Sequence, residues 1–302
     1  MLDRTRSFRF TAVLMVAWFI CPASLKADAS DRFAMLGDVK VHYRTVGSGP
    51  ETLVFVHGWT CDAGFWREQL EAFPEQRVIA IDLPGHGQSD KPRIDYTIPL
   101  FAEAIEAVMR DAQVERAVLV GHSMGAPVVR EFYRRFPEKT SALVVVDGAL
   151  RAMFSRAQSE QLQERLRSDY AGTARRMVDG MLTAVRNAEL RDDIRAVMLG
   201  TPDYVGRSAM QSLADEAIYH ADPIKVPLLV LLAKSPFWPP ETEQFFRSLA
   251  PEADFHVMQG VSHFLMLEKP DELNALLRNF LAKQREMLSV TAPASTPADP
   301  SR

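Results

Sequence analysis

Gly121-His122-Ser123-Met124-Gly125 is the segment that says most about the architecture of this chain, because of what lies on either side of it. The apolar run Ala117–Val120 precedes it and predicts a strand, and a helix-like segment begins near Ala126. A serine at the apex of a sharp strand-to-helix turn needs glycine two positions before and after it, where side chains would collide with neighbouring backbone. The spacing predicts a nucleophile elbow, with Ser123 in strained geometry above a helix N-terminus. A serine that merely caps the helix is the alternative.

The rest of the chain alternates short β-branched runs with amphipathic stretches, which is typical of βαβ units and a parallel sheet. The predicted strands are Thr52–His57, Arg77–Asp82, Ala117–Gly121, Ala142–Asp147, Pro227–Leu232 and Phe255–Met258. The predicted helices are Phe65–Phe73, Leu100–Ala112, Ala126–Phe136 and Asp271–Lys283, and an antiparallel opening hairpin is predicted over Arg32–Thr45. Residues 150–221 lack strand-like runs and carry Arg, Gln, Glu, Met and Leu at helical spacing. We therefore expect a helical cap at 150–221, inserted into a core made of residues 30–149 and 222–285.

Both ends of the chain differ in composition from the middle. Three arginines precede the apolar run Thr11–Cys21, and Ala27 and Ala29 follow it, which is typical of a secretory signal peptide over residues 1–29. The run is shorter than the roughly 20 residues that a membrane span needs. We therefore expect export to the periplasm or the extracellular space, with cleavage after Ala29 or Ala27 and no stable membrane insertion afterwards. An uncleaved N-terminal anchor is the alternative. Residues 286–302 predict a disordered tail.

The charge balance of the chain limits the kinds of binding partner that are expected. The 302 residues carry 35 basic and 39 acidic side chains, a net charge of −4, and no long basic run follows the N-terminus. Nucleic acids and anionic membrane surfaces attract positively charged patches, so neither is expected as a partner. A small-molecule partner fits this composition better.

Two further motifs lie where an elbow serine needs partners. His57-Gly58-Trp59 ends a predicted strand, so that the Trp59 and Met124 amides together are expected to form an oxyanion hole. His263 lies in a loop after the last predicted strand, and the order serine then histidine suits a hydroxyl nucleophile and its general base. Five other histidines are weaker candidates for the base. They are His42, His86, His122, His220 and His256.

Four motifs together resemble the α/β-hydrolase superfamily, namely His57-Gly58-Trp59, Asp82–Asp90, Gly121–Gly125 and Val261–Phe264. The resemblance runs from about Val41 to Lys283. It implies the α/β-hydrolase fold, a mostly parallel eight-stranded sheet with helices on both faces and a helical cap inserted after strand 6. It does not imply one substrate, because esterases, C–C bond hydrolases, lactonases and cofactor-free haloperoxidases share these motifs.

The acid of the expected Ser-His-acid triad is where the sequence departs from the family. Relatives typically carry it in the loop after the strand that here is Pro227–Leu232, where this chain has Ser235. A serine cannot stabilise an imidazolium by charge, so the acid must come from elsewhere or be missing. Asp147 is the first candidate, because some family members place their acid after the preceding strand. Glu241 and Asp222 are the alternatives.

Aromatic residues near the expected site predict the kind of substrate. Trp238, Phe237 and Phe264 are expected to line an apolar acyl or aryl pocket, so the expected partner is a small ester-like molecule. The resemblance then implies a serine hydrolase of carboxylic esters that needs no metal or other cofactor. The alternatives are a C–C bond or lactone hydrolase with the same machinery, and a non-catalytic ligand-binding protein, which the missing acid after the seventh strand favours.

Overall fold

Eight strands form one sheet in the computed structural model, which describes residues 29–291 of the chain. The strands are β1 (Ser30–Leu36), β2 (Val39–Val46), β3 (Thr52–Val56), β4 (Arg77–Ile81), β5 (Ala117–His122), β6 (Thr140–Val146), β7 (Leu228–Ala233) and β8 (Asp254–Met258). Their order across the sheet is β1-β2-β4-β3-β5-β6-β7-β8. The pairs β1–β2 and β2–β4 are antiparallel, and all other neighbours are parallel. The mostly parallel eight-stranded sheet is therefore confirmed.

Helices connect the parallel strands, and two more helices follow the last strand. They are α1 (Arg67–Leu70), α2 (Ile98–Asp111), α3 (Gly125–Arg135), α4 (Arg156–Ser168), α5 (Tyr170–Leu182), α6 (Ala188–Gly200), α7 (Asp203–Leu213), α8 (Thr242–Leu249), α9 (Leu265–Glu268) and α10 (Pro270–Thr291). The helix predicted at Phe65–Phe73 is instead a 3₁₀ turn, Ala63–Trp66, followed by the single turn of α1. Helix α8, whose eight residues follow a proline-rich loop, is not among the helices predicted from the sequence.

The ends of the chain need one correction. Helix α10 continues to Thr291, so the prediction of disorder from residue 286 is wrong for residues 286–291, where the helix hydrogen-bonding pattern persists. The remainder of the predicted tail and the predicted signal peptide up to residue 28 lie outside the described residues. Within residues 29–291, no helix is both long and apolar enough to cross a membrane.

The centre of the sheet is the core of the molecule. Every residue of β3, β5 and β7 is buried, as expected for parallel strands whose crossover helices cover both faces of a sheet. Helix α2 shows how the crossovers are built, because its residues Phe101, Ile105 and Val108 are buried at helical spacing. The Thr97 hydroxyl accepts a hydrogen bond from the Leu100 amide and begins that helix.

Four helices, α4 to α7, lie between β6 and β7, in the segment where the sequence predicts helices and no strand. The first three of them begin with side-chain caps, which satisfy backbone amides that have no partner within a helix. Ser155 forms a capping box with Gln158, and Asp169 and Asn187 cap α5 and α6. The chain then returns to the sheet at β7, beside β6.

The order of the strands determines where functional residues meet. Strands β3, β5, β6 and β7 lie side by side and run parallel, so their carboxyl ends share one edge of the sheet. Ligands of open α/β sheets bind at this edge. The loops that leave it carry the His57-Gly58-Trp59 motif, Ser123, Asp147 and the segment that follows Ala233.

Candidate active site

Ser123 occupies a strained turn between β5 and α3. Its φ is +51°, in the left-handed region that non-glycine residues rarely adopt. A Cβ on Gly121 would lie 2.3 Å from the Gly125 carbonyl oxygen, and one on Gly125 would lie 2.4 Å from the Val56 carbonyl oxygen. The predicted crowding on both sides of the serine is therefore confirmed. The Ser123 amide donates to the Val146 carbonyl at 3.0 Å, which holds the turn against β6, and its side chain is half-buried.

His263 and Asp147 form a hydrogen-bonded pair at the same edge of the sheet. The Nδ1–H of His263 donates to Oδ2 of Asp147 at 2.6 Å. The Asp147 side chain is 6% exposed and that of His263 is 21% exposed. A hydrogen bond between an imidazole and a carboxylate is strong where both groups are shielded from water. Of the candidates for the base and the acid, the structure brings these two together.

The acid side of this pair is held from β7. Asp147 follows β6 with a φ of +42°, and its Oδ1 accepts hydrogen bonds from the Ala233 amide at 2.8 Å and from Nε1 of Trp238 at 3.0 Å. These donors and His263 use both carboxylate oxygens. The loop that carries the acid in relatives therefore contributes donors to an acid that comes from the neighbouring strand.

The two alternative acids have other partners. Glu241 is 57% exposed and lies 3.8 Å from Arg151. Asp222 forms an ion pair with Arg130 at 2.9 Å. Ser235, at the position where relatives have the acid, accepts a hydrogen bond from the Phe237 amide through its hydroxyl. None of the three has a hydrogen bond or ion pair with His263 among the described residues.

The loop of His263 is fixed from two directions. Nε2–H of His122 donates to the His263 carbonyl at 2.8 Å, and the two imidazole rings are 4.7 Å apart. Burial and the proximity of His263 lower the pKa of His122 well below its usual value, so His122 is neutral. On the other side, the Ser262 amide donates to the Glu268 carboxylate at 2.8 Å, and the Ser262 hydroxyl donates to the same oxygen.

The two predicted oxyanion donors are free. Within residues 29–291, the backbone N–H groups of Trp59 and Met124 donate to no protein acceptor. A Cβ on Gly58 would lie 3.0 Å from the Cβ of Ser123, so the loop of Trp59 passes directly beside the serine. Unpaired backbone donors at such a turn are available to a developing negative charge.

His57 fixes the backbone of that loop. Its Nδ1–H donates to the Gly58 carbonyl at 2.8 Å, and its Nε2 accepts from the Leu83 amide at 3.0 Å. Burial lowers the pKa of His57, so the ring is neutral and keeps both bonds. The histidine of the His57-Gly58-Trp59 motif is thus a structural support.

The cap is joined to the same loop by two hydrogen bonds. The indole Nε1–H of Trp59 donates to the Gly206 carbonyl in α7 at 2.7 Å. The hydroxyl of Thr201 donates to the Thr60 carbonyl at 3.0 Å. The helices between β6 and β7 therefore lie over the loop that carries one of the free amides.

The three predicted pocket residues occupy different environments. Phe264 is fully buried against Phe65 and His263, so the expectation that it lines a substrate pocket is corrected: its ring has no accessible surface and belongs to the core behind the histidine. Phe237 is 52% exposed. Trp238 is half-buried, and its ring lies edge-on to that of Phe237 at 5.0 Å.

Sequence reasoning missed three contributors to this geometry, which are His122, Glu268 and the indole of Trp238. The sequence makes His122 only a weak candidate for the base, yet its ring donates a hydrogen bond to the His263 backbone. From the sequence, Trp238 is expected only to line an apolar pocket, which does not anticipate its hydrogen bond to Asp147. One indication of this contact was present in the sequence, because the loop after β7 lacks the usual acid and carries an indole donor.

Comparisons with known proteins bear on the fold and the family of the chain. The model of the alpha/beta hydrolase family matches residues 53–276. A 2-hydroxy-6-oxononadienedioate/2-hydroxy-6-oxononatrienedioate hydrolase of Paraburkholderia phymatum is 28% identical over 269 residues, which are 82% of this chain and 92% of that protein. The solved structure of an N-acyl homoserine lactone degrading enzyme has a TM-score of 0.72 at 25% identity, over 82% of this chain and 100% of the other. The solved structure of a thermophilic esterase has a TM-score of 0.69 at 29% identity, over 85% of this chain and 99% of the other.

Other curated relatives are longer proteins, of whose length the chain spans between 30% and 70%. The family match and the esterase and lactone-degrading neighbours support hydrolase function. On the family model, which covers most of the sheet and all of the cap, the chain belongs to the alpha/beta hydrolase family.

Proposed function

We propose that this protein is an exported serine hydrolase that cleaves carboxylic esters, with Ser123 as nucleophile, His263 as general base and Asp147 as the acid of the triad. The observation that carries the proposal is the 2.6 Å hydrogen bond between His263 and a buried Asp147, at the sheet edge where Ser123 lies in a strained turn. A non-catalytic protein is the alternative that a missing acid would favour, and the pairing of Asp147 with His263 counts against it.

The proposed reaction uses this chain's own groups at each step. Ser123 Oγ attacks the ester carbonyl while Nε2 of His263 takes its proton, and Asp147 stabilises the resulting imidazolium. The Trp59 and Met124 amides bind the oxyanion of the tetrahedral intermediate. As this intermediate collapses, the imidazolium gives its proton to the leaving alkoxide, which departs as the alcohol. Water then attacks the acyl-enzyme by the same route and releases the carboxylic acid.

An activity-based probe tests the nucleophile. A fluorophosphonate should label the wild-type protein covalently, and Ser123→Ala should abolish this labelling. The same substitution should lower p-nitrophenyl acetate turnover by at least about a thousandfold, as is typical when a triad member is removed. Ser168→Ala is the matched control, because Ser168 is an exposed serine at the end of α4. Absence of wild-type labelling, or equal labelling of Ser123→Ala, would refute the proposal.

A lactone hydrolase is the second candidate, favoured by the similarity to an N-acyl homoserine lactone degrading enzyme. The chemistry is the same, because a lactone is a cyclic ester. A panel of p-nitrophenyl esters of increasing acyl length, run beside acyl lactones of matched chain length, separates the two. We expect higher kcat/KM for the open-chain esters with apolar acyl groups; a preference for lactones would transfer the assignment to the second candidate.

Export is proposed from the residues that precede β1, where a charged segment, an apolar run and small residues follow one another. Expression in a Gram-negative host, followed by fractionation and N-terminal sequencing, tests it. We expect periplasmic protein that begins near Asp28 or Ser30. Cytoplasmic protein with an intact N-terminus would contradict export.

A further inference from the structure

The carboxylate of Asp147 is fixed by more than the histidine. Oδ2 accepts from His263, while Oδ1 accepts from the Ala233 amide at 2.8 Å and from the indole of Trp238 at 3.0 Å. The carboxylate is nearly inaccessible to water, so protein donors alone determine its orientation in this structure. Among these donors to Oδ1, Trp238 contributes the side chain, and it can therefore be removed without altering the backbone.

The loop after β7 holds the indole in place. The Trp238 amide donates to the Ser235 carbonyl at 3.2 Å, and the Ser235 hydroxyl accepts from the Phe237 amide at 3.1 Å. The ring of Phe237 packs edge-on against the indole. Thr242 ends the loop by donating its hydroxyl to the Pro239 carbonyl at 2.7 Å. The indole thus reaches Asp147 from a turn that is stabilised by its own hydrogen bonds, and this turn fixes the orientation of the indole N–H.

From this geometry we propose that Trp238 is a positioning residue of the reaction, orienting the Asp147 carboxylate toward His263. This inference rests on the proposed function. The loop after β7 supplies the donor where relatives supply the acid itself. Hydrogen bonds to a charged acceptor are about twice as strong as those between neutral groups, so losing the indole bond both frees the carboxylate to rotate and makes it more basic.

These two effects have separate readouts. Rotation of the carboxylate lowers the share of molecules in which His263 is held correctly, so kcat falls. A more basic carboxylate stabilises the imidazolium form of His263 more strongly than the neutral form. The acidic limb of the pH profile, which requires neutral His263, therefore moves to higher pH.

The first test is Trp238→Phe, which keeps an aromatic ring and removes the donor. We expect kcat to fall about tenfold, with little change in KM and an acidic limb at higher pH. Phe33→Leu is the matched control, because Phe33 is an exposed phenylalanine of β1, at the edge of the sheet away from β7, and changing it leaves the indole bond intact; its pH profile should match wild type. Incorporation of β-(3-benzothienyl)alanine at position 238, which replaces the indole N–H by sulfur, repeats the test at nearly constant shape if the Phe variant folds poorly.

A double-mutant cycle shows whether Trp238 acts through Asp147. In an Asp147→Ala background the carboxylate is gone, so adding Trp238→Phe should cost less than about twofold more, whereas independent roles would multiply. An equal loss in both backgrounds would overturn the proposal. So would a wild-type kcat and acidic limb in Trp238→Phe, even though fluorophosphonate labelling of Ser123 would leave the proposed function standing.

A third measurement does not depend on turnover. The Nδ1 proton between His263 and Asp147 should give a low-field proton NMR resonance in the wild-type protein, and it should shift or broaden in Trp238→Phe but not in Phe33→Leu. An unchanged resonance in Trp238→Phe would overturn the proposal. If the wild-type protein is never labelled by fluorophosphonate, the proposed function fails and this resonance decides the role of Trp238 separately.

Discussion

Asp147→Asn removes one negative charge from the proposed triad and keeps the shape of the side chain. The surroundings of Asp147 dictate how the new amide would be oriented. Two N–H donors, from Ala233 and Trp238, point at the position of Oδ1, so the amide oxygen of Asn must stay there. The amide NH₂ group then occupies the position of Oδ2 and faces Nδ1 of His263.

This orientation reverses the hydrogen bond to the histidine. Nδ1 of His263 would have to accept a hydrogen bond from the Asn amide, which forces the tautomer that carries its proton on Nε2. A protonated Nε2 cannot take the proton of Ser123. In addition, the imidazolium loses its counter-charge, an interaction of about 4 kcal/mol for charges about 4 Å apart at an effective dielectric constant of about 20. That energy corresponds to about a thousandfold in rate, and the wrong tautomer takes the expected loss in kcat toward about 10⁴.

Steady-state turnover of p-nitrophenyl acetate across the pH range measures this loss. Glu241→Gln is the control, because Glu241 is largely exposed and pairs with Arg151. We expect the control to keep wild-type kcat. The reasoning would be refuted by an Asp147→Asn enzyme within about tenfold of wild type, or by a Glu241→Gln enzyme that loses the larger share of activity.

Three other variants probe the supports of the site. Glu268→Gln weakens the anchor of Ser262, so we expect kcat to fall about tenfold at constant KM in steady-state assays; an unaltered kcat would show that the loop needs no such anchor. Gly121→Ala places a Cβ 2.3 Å from a backbone carbonyl oxygen, so scanning fluorimetry should show a Tm lowered by several degrees, and a wild-type Tm would contradict the crowding. Burial alone would lower the pKa of His42, but its hydrogen bond and attraction to Asp82 raise that pKa overall above 6.5. The stability from this raised pKa is complete below 6.5 and is lost as pH rises through the folded value. In urea denaturation, His42→Gln should therefore cost more at about pH 5.5 than at about pH 8.5, and equal costs would argue against the linkage.

Much of the frame was readable in the sequence because it depends on local patterns. Runs of β-branched residues predicted β3 to β8 within a few residues, and the glycines around Ser123 predicted the turn and its strain. Both signals arise from steric limits within a few residues of chain. The 3₁₀ turn before α1 and the separate helix α8 were missed because short helices have too few turns to show a period.

The position of the proposed acid could not be identified from local sequence patterns. Asp147, Glu241 and Asp222 all lie near a strand end in the sequence, and no local pattern distinguishes them. What separates them is the pairing of β6 with β7, which sets the Ala233 amide against Asp147. Contacts of this kind join residues 86 positions apart, so they emerge only when the sheet is assembled.

The indole of Trp59 has a consequence for anyone who recombines this protein with its relatives. Its N–H is buried and its partner, the Gly206 carbonyl, belongs to the cap. A chimera that receives a foreign cap without a carbonyl at that place would leave a buried donor unpaired, at a cost of about 1 to 3 kcal/mol. That cost would fall on the loop whose amide is proposed to bind the oxyanion. The cap and the segment from His57 to Thr60 should therefore be exchanged together in a chimera. They belong together even though Gly206 lies 146 positions after Thr60 and three strands of the sheet come between them in the chain.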